Sequence, residues 1–250
     1  MKDYQTSYDG KTYMKDPVLG TKIVKNGFLT EMIKVKRKDG EVVFMKGYGN
    51  AVMGDSVTAP VPVTPQTQFV IASTSKAFTS GLLANVMDEY PEIKWDAPVK
   101  NYLPDFKLYD PWVTENFQVR EIMSHHSGFN SYALDDLPTW GYNRDDLYRI
   151  YATVRPTYSF RTKYAYNNSM YTIAAKIIEK YTGKSWDDAI AERIFTPLEM
   201  KNSTTGNKSF YTAENLAQGY RMRKAEDKDE ITVVPRTDKD HAFAWLSAVA

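Results

Sequence analysis

The stretch from Phe69 to Tyr90, FVIASTSKAFTSGLLANVMDEY, limits what this chain can fold into more than any other. A short β-prone run, Phe69-Val70-Ile71, leads into a long helical segment. The apolar residues of that segment, Phe78, Leu82, Leu83, Val86 and Met87, cover a broad face. A helix apolar over most of its circumference is a buried one, so the rest of the chain must pack around it. Gly81 inside it costs about 1 kcal/mol against Ala, which predicts a close approach by a neighbouring element. Ser73-Thr74-Ser75-Lys76 stands at the head of this helix. Positions i and i+3 share a helix face, so a Ser hydroxyl and a Lys amine are predicted to lie one above the other. A Ser is a poor nucleophile until a neighbouring base takes its proton. A lysine in general serves as that base only when burial or positive charge favours its neutral form. A helix N-terminus adds partial positive charge and N–H groups where an oxyanion would form. The bland alternative is Ser73 as an N-cap and Lys76 as a solvated side chain. The apolar flanks argue against it, because an idle lysine is seldom placed on a central helix.

Composition narrows the classes. The 250 residues suit one large domain or two small ones with ample core. A net charge of +1 argues against nucleic acid or an anionic membrane as the main partner. The absence of cysteine excludes disulfides, thiolate zinc sites and Cys nucleophiles. No apolar run approaches membrane-span length. The N-terminus, MKDYQTSYDGKTYMKD, lacks the apolar core of a signal peptide. That leaves the cytoplasm, or export with the leader removed, both open.

Residues 1 to about 26 read as an irregular lead-in. Phe28 to Arg37 and Glu41 to Met45 flank Asp39-Gly40, a hairpin signal. Residues 51–67 read as an extended loop. After the Ser73 helix, Val119 to Met123 is predicted as a short amphipathic helix ended by Ser124-His125-His126-Ser127-Gly128. Residues 143–152 are predicted helical. In 169–181, Met170, Ile173, Ala174, Ile177, Ile178 and Tyr181 follow the i, i+3, i+4, i+7 rule, with Gly183 at a C-cap. Ser185-Trp186-Asp187-Asp188 resembles a capping box opening another helix that stops before Pro197. Leu216 to Met222 and Ile231 to Val234 return to β-like patterning.

A second cluster of chemical groups, Tyr166-Asn167-Asn168, precedes the best helix. A phenol near an ammonium can relay a proton, and a carboxamide can bind an amide or ester substrate while fixing the lysine. Taken alone, the tripeptide reads as an Asn N-cap beside a packed Tyr. The adjacent His125 and His126 point to different sides of the chain and have no carboxylate or imidazole at ligand spacing, so no metal site is read there. There is no G-x-S-x-G elbow and no H-E-x-x-H. Thr182-Gly183-Lys184-Ser185 lacks the first glycine of a P-loop, with Ile178 in its place.

The motifs together resemble the serine β-lactamase and penicillin-binding-protein superfamily, in its class C β-lactamase-like branch, which also holds D-peptidases and family VIII esterases. The resemblance runs from about Gly40 to the end. It rests on Gly47-Tyr48-Gly49, Phe69 to Thr79, Asp96-Ala97-Pro98-Val99 with Tyr102-Leu103-Pro104, Ile122 to Gly128, Tyr166-Asn167-Asn168 and Pro197-Leu198-Glu199-Met200. It implies an α+β, β-lactamase-like (DD-peptidase-like) fold: an antiparallel sheet from the two ends of the chain with a mostly helical domain between. The corresponding boundaries are 1–72 for the N-terminal sheet part, 73–214 for the helical part carrying the motifs, and 215–250 for the return. It implies a serine hydrolase acting through an acyl-enzyme on an amide or ester, be it a β-lactam, a D-amino peptide or a small ester. Ser73 would be acylated. Lys76 and Tyr166 would share the proton transfers, the base between them left open. Asn168 would bind substrate and Lys76, and the matching His would be structural. No cofactor and no metal are implied, and the partner is a small-molecule or peptide substrate. A non-catalytic domain that binds a peptide or cell-wall fragment is the alternative.

Two departures stand out. The long first helix and Pro-Gly of the family are missing. So is its third motif, Lys-Thr-Gly or His-x-Gly, on a strand beside the nucleophile. The run 241–250 reads as the lead-in to the segment before that motif. Either a second segment or chain supplies the C-terminal strands, or the chain is an inactive fragment. The well-patterned core favours the first, since it would otherwise expose a large apolar face.

Overall fold

The computed structural model describes residues 4–8, 11–16, 20–24, 32–54, 58–205, 213–224 and 229–233. The run 241–250 lies outside them. The described residues form two compact units, one from Met1–Phe69 and Ala213–Val234, the other from Val70–Thr212.

The first unit is built of antiparallel strands. Strands β1 (Tyr4–Tyr8), β2 (Lys11–Asp16) and β3 (Gly20–Val24) form a three-stranded sheet. This corrects the reading of the N-terminus as irregular. Tyr, Thr, Ile and Val recur through these runs, and Asp9-Gly10 separates the first two, the same hairpin signal recognised further on. Strands β4 (Met32–Lys38) and β5 (Glu41–Tyr48) pair across Asp39-Gly40. Asp39 (φ 51°) and Gly40 (φ 85°) both take the left-handed conformation that a two-residue hairpin loop requires. Gly47 near the end of β5 allows a close approach, because a Cβ there would come within 2.1 Å of the Val63 carbonyl oxygen. Strands β6 (Asn50–Val52) and β7 (Val61–Pro62) pair within the segment read as an extended loop. Strands β8 (Tyr220–Lys224) and β9 (Asp229–Val233) form the last hairpin. All of these pairings are antiparallel, in one three-stranded and three two-stranded sheets. Segments from before and after the helical unit meet here. Gln68 bridges to Leu216, the Gln218 N–H donates to the Ala51 carbonyl at 2.8 Å, and the Met53 N–H donates to the Tyr220 hydroxyl at 2.8 Å.

The second unit is helical. Helix α1 (Ser75–Glu89) buries Leu82, Leu83 and Val86 completely, each worth about 1.5–3 kcal/mol of transfer free energy as an upper figure. Gly81 does not mark the predicted close approach. It is exposed, and a Cβ built on it meets nothing within 4 Å. Helix α2 (Pro111–Asn116) was not foreseen; Asp110 caps it, accepting from the N–H groups of Trp112 and Val113, with Pro111 at the first helical position. Helix α3 (Val119–Ser124) ends where His125 turns left-handed at φ 60°. Helix α4 (Arg144–Ile150) starts from the Asn143 cap. Helix α5 (Tyr171–Thr182) packs on α1 and ends at Gly183. Its residues Ile173, Ala174, Ile177 and Ile178 are wholly inside, as the periodicity predicts. Helix α6 (Trp186–Ile190) starts from Ser185, whose hydroxyl accepts from the Asp188 N–H. The core joins α1, α3 and α5 through Leu82, Ile122, Ile173 and Ile177, with Phe106, Phe117 and Trp186 around them.

Candidate active site

Ser73 lies in a short 3₁₀ turn, Ala72–Thr74, immediately before α1. It is exposed, and neither flanking cap position carries a side-chain capping bond, so Ser73 is not the N-cap of the bland reading. Ala72 before it has φ 45°, a left-handed conformation that a non-glycine residue rarely takes. Lys76 stands one turn on. It is only 6 % exposed, which rules out the solvated-lysine reading.

The structure brings the four sequence-predicted residues together. The Lys76 ammonium donates to Ser73 Oγ at 2.9 Å and to Asn168 Oδ1 at 2.6 Å. The Tyr166 hydroxyl donates to Ser73 Oγ at 2.5 Å. The ammonium also stands 5.0 Å from the centre of the Tyr166 ring and 5.4 Å from that of Tyr171, a favourable placement for a cation over aromatic faces.

Tyr166 and Asn168 come from an irregular segment, so something other than helix geometry must hold them. The buried Asn167 between them does much of this. Its N–H donates to His125 Nδ1 at 3.2 Å and its Nδ2 to the Ala133 carbonyl at 3.3 Å. Its Oδ1 accepts from the Tyr151 hydroxyl at 2.8 Å and from the Met170 N–H at 3.1 Å. Helix α5 has Met170 at its N-cap with no side-chain capping bond, so the Asn N-cap of the bland reading does not form; Asn167 bonds inward instead, and Asn168 faces Lys76. The segment Ser124 to Gly128 supplies backbone support. The Ala165 N–H donates to the His125 carbonyl at 2.8 Å, and the Tyr158 N–H to the Gly128 carbonyl at 2.8 Å. Gly128 (φ 90°) is required there, because a Cβ would come within 2.8 Å of the Tyr158 oxygen.

His125 is buried with its ring centre 4.5 Å from that of Tyr166. Burial, followed by the charge of Lys76, holds its imidazole below the usual 6.5. Its Nδ1 accepts a backbone bond, which fixes the neutral tautomer with Nε2 protonated. His126 turns to the Ser124 carbonyl, 2.6 Å from its Nδ1. Among the described residues, no group of three or more His, Asp or Glu could hold a metal ion.

Two nearby residues carried no sequence signal. Asp135 is buried, and its Oδ2 accepts from Asn168 Nδ2 at 2.6 Å and its Oδ1 from the Ser169 hydroxyl at 3.1 Å. Burial raises its carboxyl above the ordinary 3.8, opposed by those two bonds and by the charge of Lys76. Tyr132 is exposed at φ 61°; its N–H donates to the Tyr166 carbonyl at 2.7 Å and its ring packs on Tyr166 at 5.6 Å. Spacing along the chain could not have revealed either, since both reach the site across more than 30 residues.

A family model described as Beta-lactamase matches residues 35–244. The chain belongs to the β-lactamase family. Among the relatives of this β-lactamase-family chain is the unguisins hydrolase ungD' of Aspergillus campestris, 33% identical over 190 residues, 73% of this chain and 35% of that protein. The teichoic acid D-alanine hydrolase of Staphylococcus aureus is 30% identical over 185 residues, 73% of this chain and 43% of that protein. FmtA from Staphylococcus aureus superposes with a TM-score of 0.61 at 28% identity, covering 82% of this chain and 52% of FmtA. The chain therefore spans less than half the length of these two curated relatives. Its β-lactamase-like, α+β architecture is shared with penicillin-binding-protein-like structures, and the relatives named are hydrolases.

Proposed function

We propose that this chain carries the nucleophile side of a serine hydrolase that forms an acyl-enzyme on Ser73 with an amide or ester substrate. The observation that carries the reading is the pair of groups on one hydroxyl: Lys76 Nζ and the Tyr166 hydroxyl both lie within hydrogen-bond reach of Ser73 Oγ. Whichever of the two is unprotonated takes the Ser73 proton as Oγ bonds to the substrate carbonyl carbon. The tetrahedral intermediate then collapses, the C–N or C–O bond breaks, and the proton passes to the leaving amine or alkoxide. In the second half a water gives its proton to the same pair as its oxygen bonds to the acyl carbon; the Ser73 Oγ–C bond then breaks, the proton returns to Oγ, and the acid is released. Lys76 and Tyr166 share Ser73 Oγ as partner, so which of them acts as the base is left open between the two. Asn168 holds Lys76 through its oxygen and contributes to binding the substrate's amide or ester group. The Ser73 N–H serves as one oxyanion donor.

The D-alanine hydrolase among the relatives supports D-amino acyl esters and amides as the first substrates to try. Intact-mass measurement of the full protein after reaction with a fluorophosphonate or a fluorescent penicillin tests the reading. A single adduct on Ser73, absent from Ser73→Ala, is expected. No adduct in the full protein would instead favour a binding domain with the same fold.

A further inference from the structure

We infer that Asp135 is the positioning residue that sets the direction of the Asn168 carboxamide and, through it, the seat of Lys76 on Ser73. The inference rests on the acyl-enzyme reading and adds to it a residue that touches none of the reacting atoms.

A carboxamide has an accepting end and a donating end of nearly equal shape. Lys76 carries only donors, so it needs the oxygen of Asn168, and it has that oxygen at 2.6 Å. Nothing in Asn168 itself selects this direction. Asp135 does, because an ionised carboxylate only accepts and it lies 2.6 Å from Asn168 Nδ2. Turning the carboxamide over would set an NH₂ against the ammonium and an oxygen against the carboxylate. Both contacts would then be repulsive in a buried site.

Asp135 is itself held. Its other oxygen accepts from the Ser169 hydroxyl, and that hydroxyl also reaches the Ala133 carbonyl at 3.2 Å. The backbone that turns Asp135 inward is strained, with Tyr132 at φ 61° and Leu134 at φ 68°, conformations uncommon for such side chains. The neighbouring Asp136 is exposed, whereas Asp135 is 6 % exposed. A buried carboxylate is costly unless it is fully hydrogen-bonded, and here both oxygens are engaged within the network that ends on the nucleophile.

The test is the rate at which a fluorophosphonate labels Ser73 in the full protein, measured for wild type, D135L, D135N, N168A and the D135L/N168A pair. D135L removes the acceptor and is expected to slow labelling about 10²-fold, the scale of a misplacement of roughly 1 Å. D135N keeps one carbonyl oxygen for Asn168 and can place its NH₂ on the Ser169 oxygen, while the Ser169 hydroxyl donates its hydrogen bond to the Ala133 carbonyl. It is expected to keep most of the rate. In the N168A background D135L is expected to add no further loss, because the two act in series; independent structural damage would add in full. Should D135L fail to fold, D135A takes its place in the same cycle. D135L labelling at the wild-type rate, D135N falling as far as D135L, or additive losses in the pair would each overturn the inference while leaving the acyl-enzyme reading intact. A wild-type protein that takes no label removes both.

Discussion

The two arms of the site are held in different ways. Ser73 and Lys76 come from one short stretch, placed by a 3₁₀ turn and the first turn of α1. Their relation is local, an i and i+3 pair with a 2.9 Å bond, and it holds as long as α1 stays packed. Tyr166 and Asn168 have no helix under them. They depend on a polar network in which His125, Ala133 and Tyr151 hold the buried Asn167, while Asp135 holds Asn168 itself. The contrast teaches that the nucleophile arm owes its geometry to helix periodicity and apolar burial. The proton-relay arm owes its geometry to satisfied hydrogen bonds in a low-dielectric interior, where each unmet group is costly.

Tyr166→Phe separates the two arms most sharply. It removes the hydroxyl on Ser73 Oγ and leaves the ring packed on His125. Labelling of Ser73 should slow by about 10²–10⁴-fold, the range for a positioned acid or base, with little change in thermal midpoint. A labelling rate within the error of wild type would show that Lys76 works without the phenol.

Asn167→Ala attacks the network behind that arm. It leaves the Tyr151 hydroxyl and the Met170 N–H without their acceptor, so a loss of about 2–4 kcal/mol in urea denaturation is expected. An equally large loss of labelling at temperatures where the variant stays folded would tie the network to the site. A loss below 1 kcal/mol, on the scale of an ordinary surface substitution, would mean that the buried amide is replaceable.

His125 gives the same arm a pH dependence. Its folded-state value lies below 6.5, with burial the leading cause, so the unfolded chain binds the proton more readily. Stability from this group is present above pH 6.5 and lost as pH falls through the folded value. Asp135 acts with the opposite sign, since its carboxyl is raised and its contribution is lost as pH rises through the folded value. His125→Asn keeps an acceptor for the Asn167 N–H but does not titrate. Its denaturation midpoint should therefore drop less than that of wild type on the acid side of 6.5. Parallel curves for the two proteins would remove His125 as the cause.

The smallest effect belongs to the nucleophile arm. Gly81 is exposed in α1 with room for a Cβ, so Gly81→Ala should stabilise by about 1 kcal/mol through helix propensity alone. Labelling should be unchanged, since on this arm a local edit stays local. A destabilised variant would restore the close packing that the sequence led one to expect there.

Much of the helical unit could be read in advance for a single reason. Helices α1 and α5 are long and strongly patterned, and Ile173, Ile177 and Leu82 went where periodicity sent them. Strands β1 to β3 were missed although Asp9-Gly10 carries the same signal as Asp39-Gly40, because the surrounding Lys and Asp residues mask a weak two-residue alternation. Helix α2 was missed because its six residues rest on one cap, Asp110, and carry no apolar stripe long enough to read.

Sequence by itself determined which residue types stand at the head of the buried helix, that Ser73 and Lys76 share a face, and that Tyr166 to Asn168 precede the clearest helix. Those are consequences of short-range geometry, which a linear chain records directly. Only the tertiary structure decided that Asn167 bonds inward while Asn168 faces Lys76, that burial beside Tyr166 holds the His125 imidazole below its usual value, and that Asp135 meets the Asn168 carboxamide from across the fold. These depend on which donor meets which acceptor once water is gone, and the spacing of residues along the chain carries no record of that pairing.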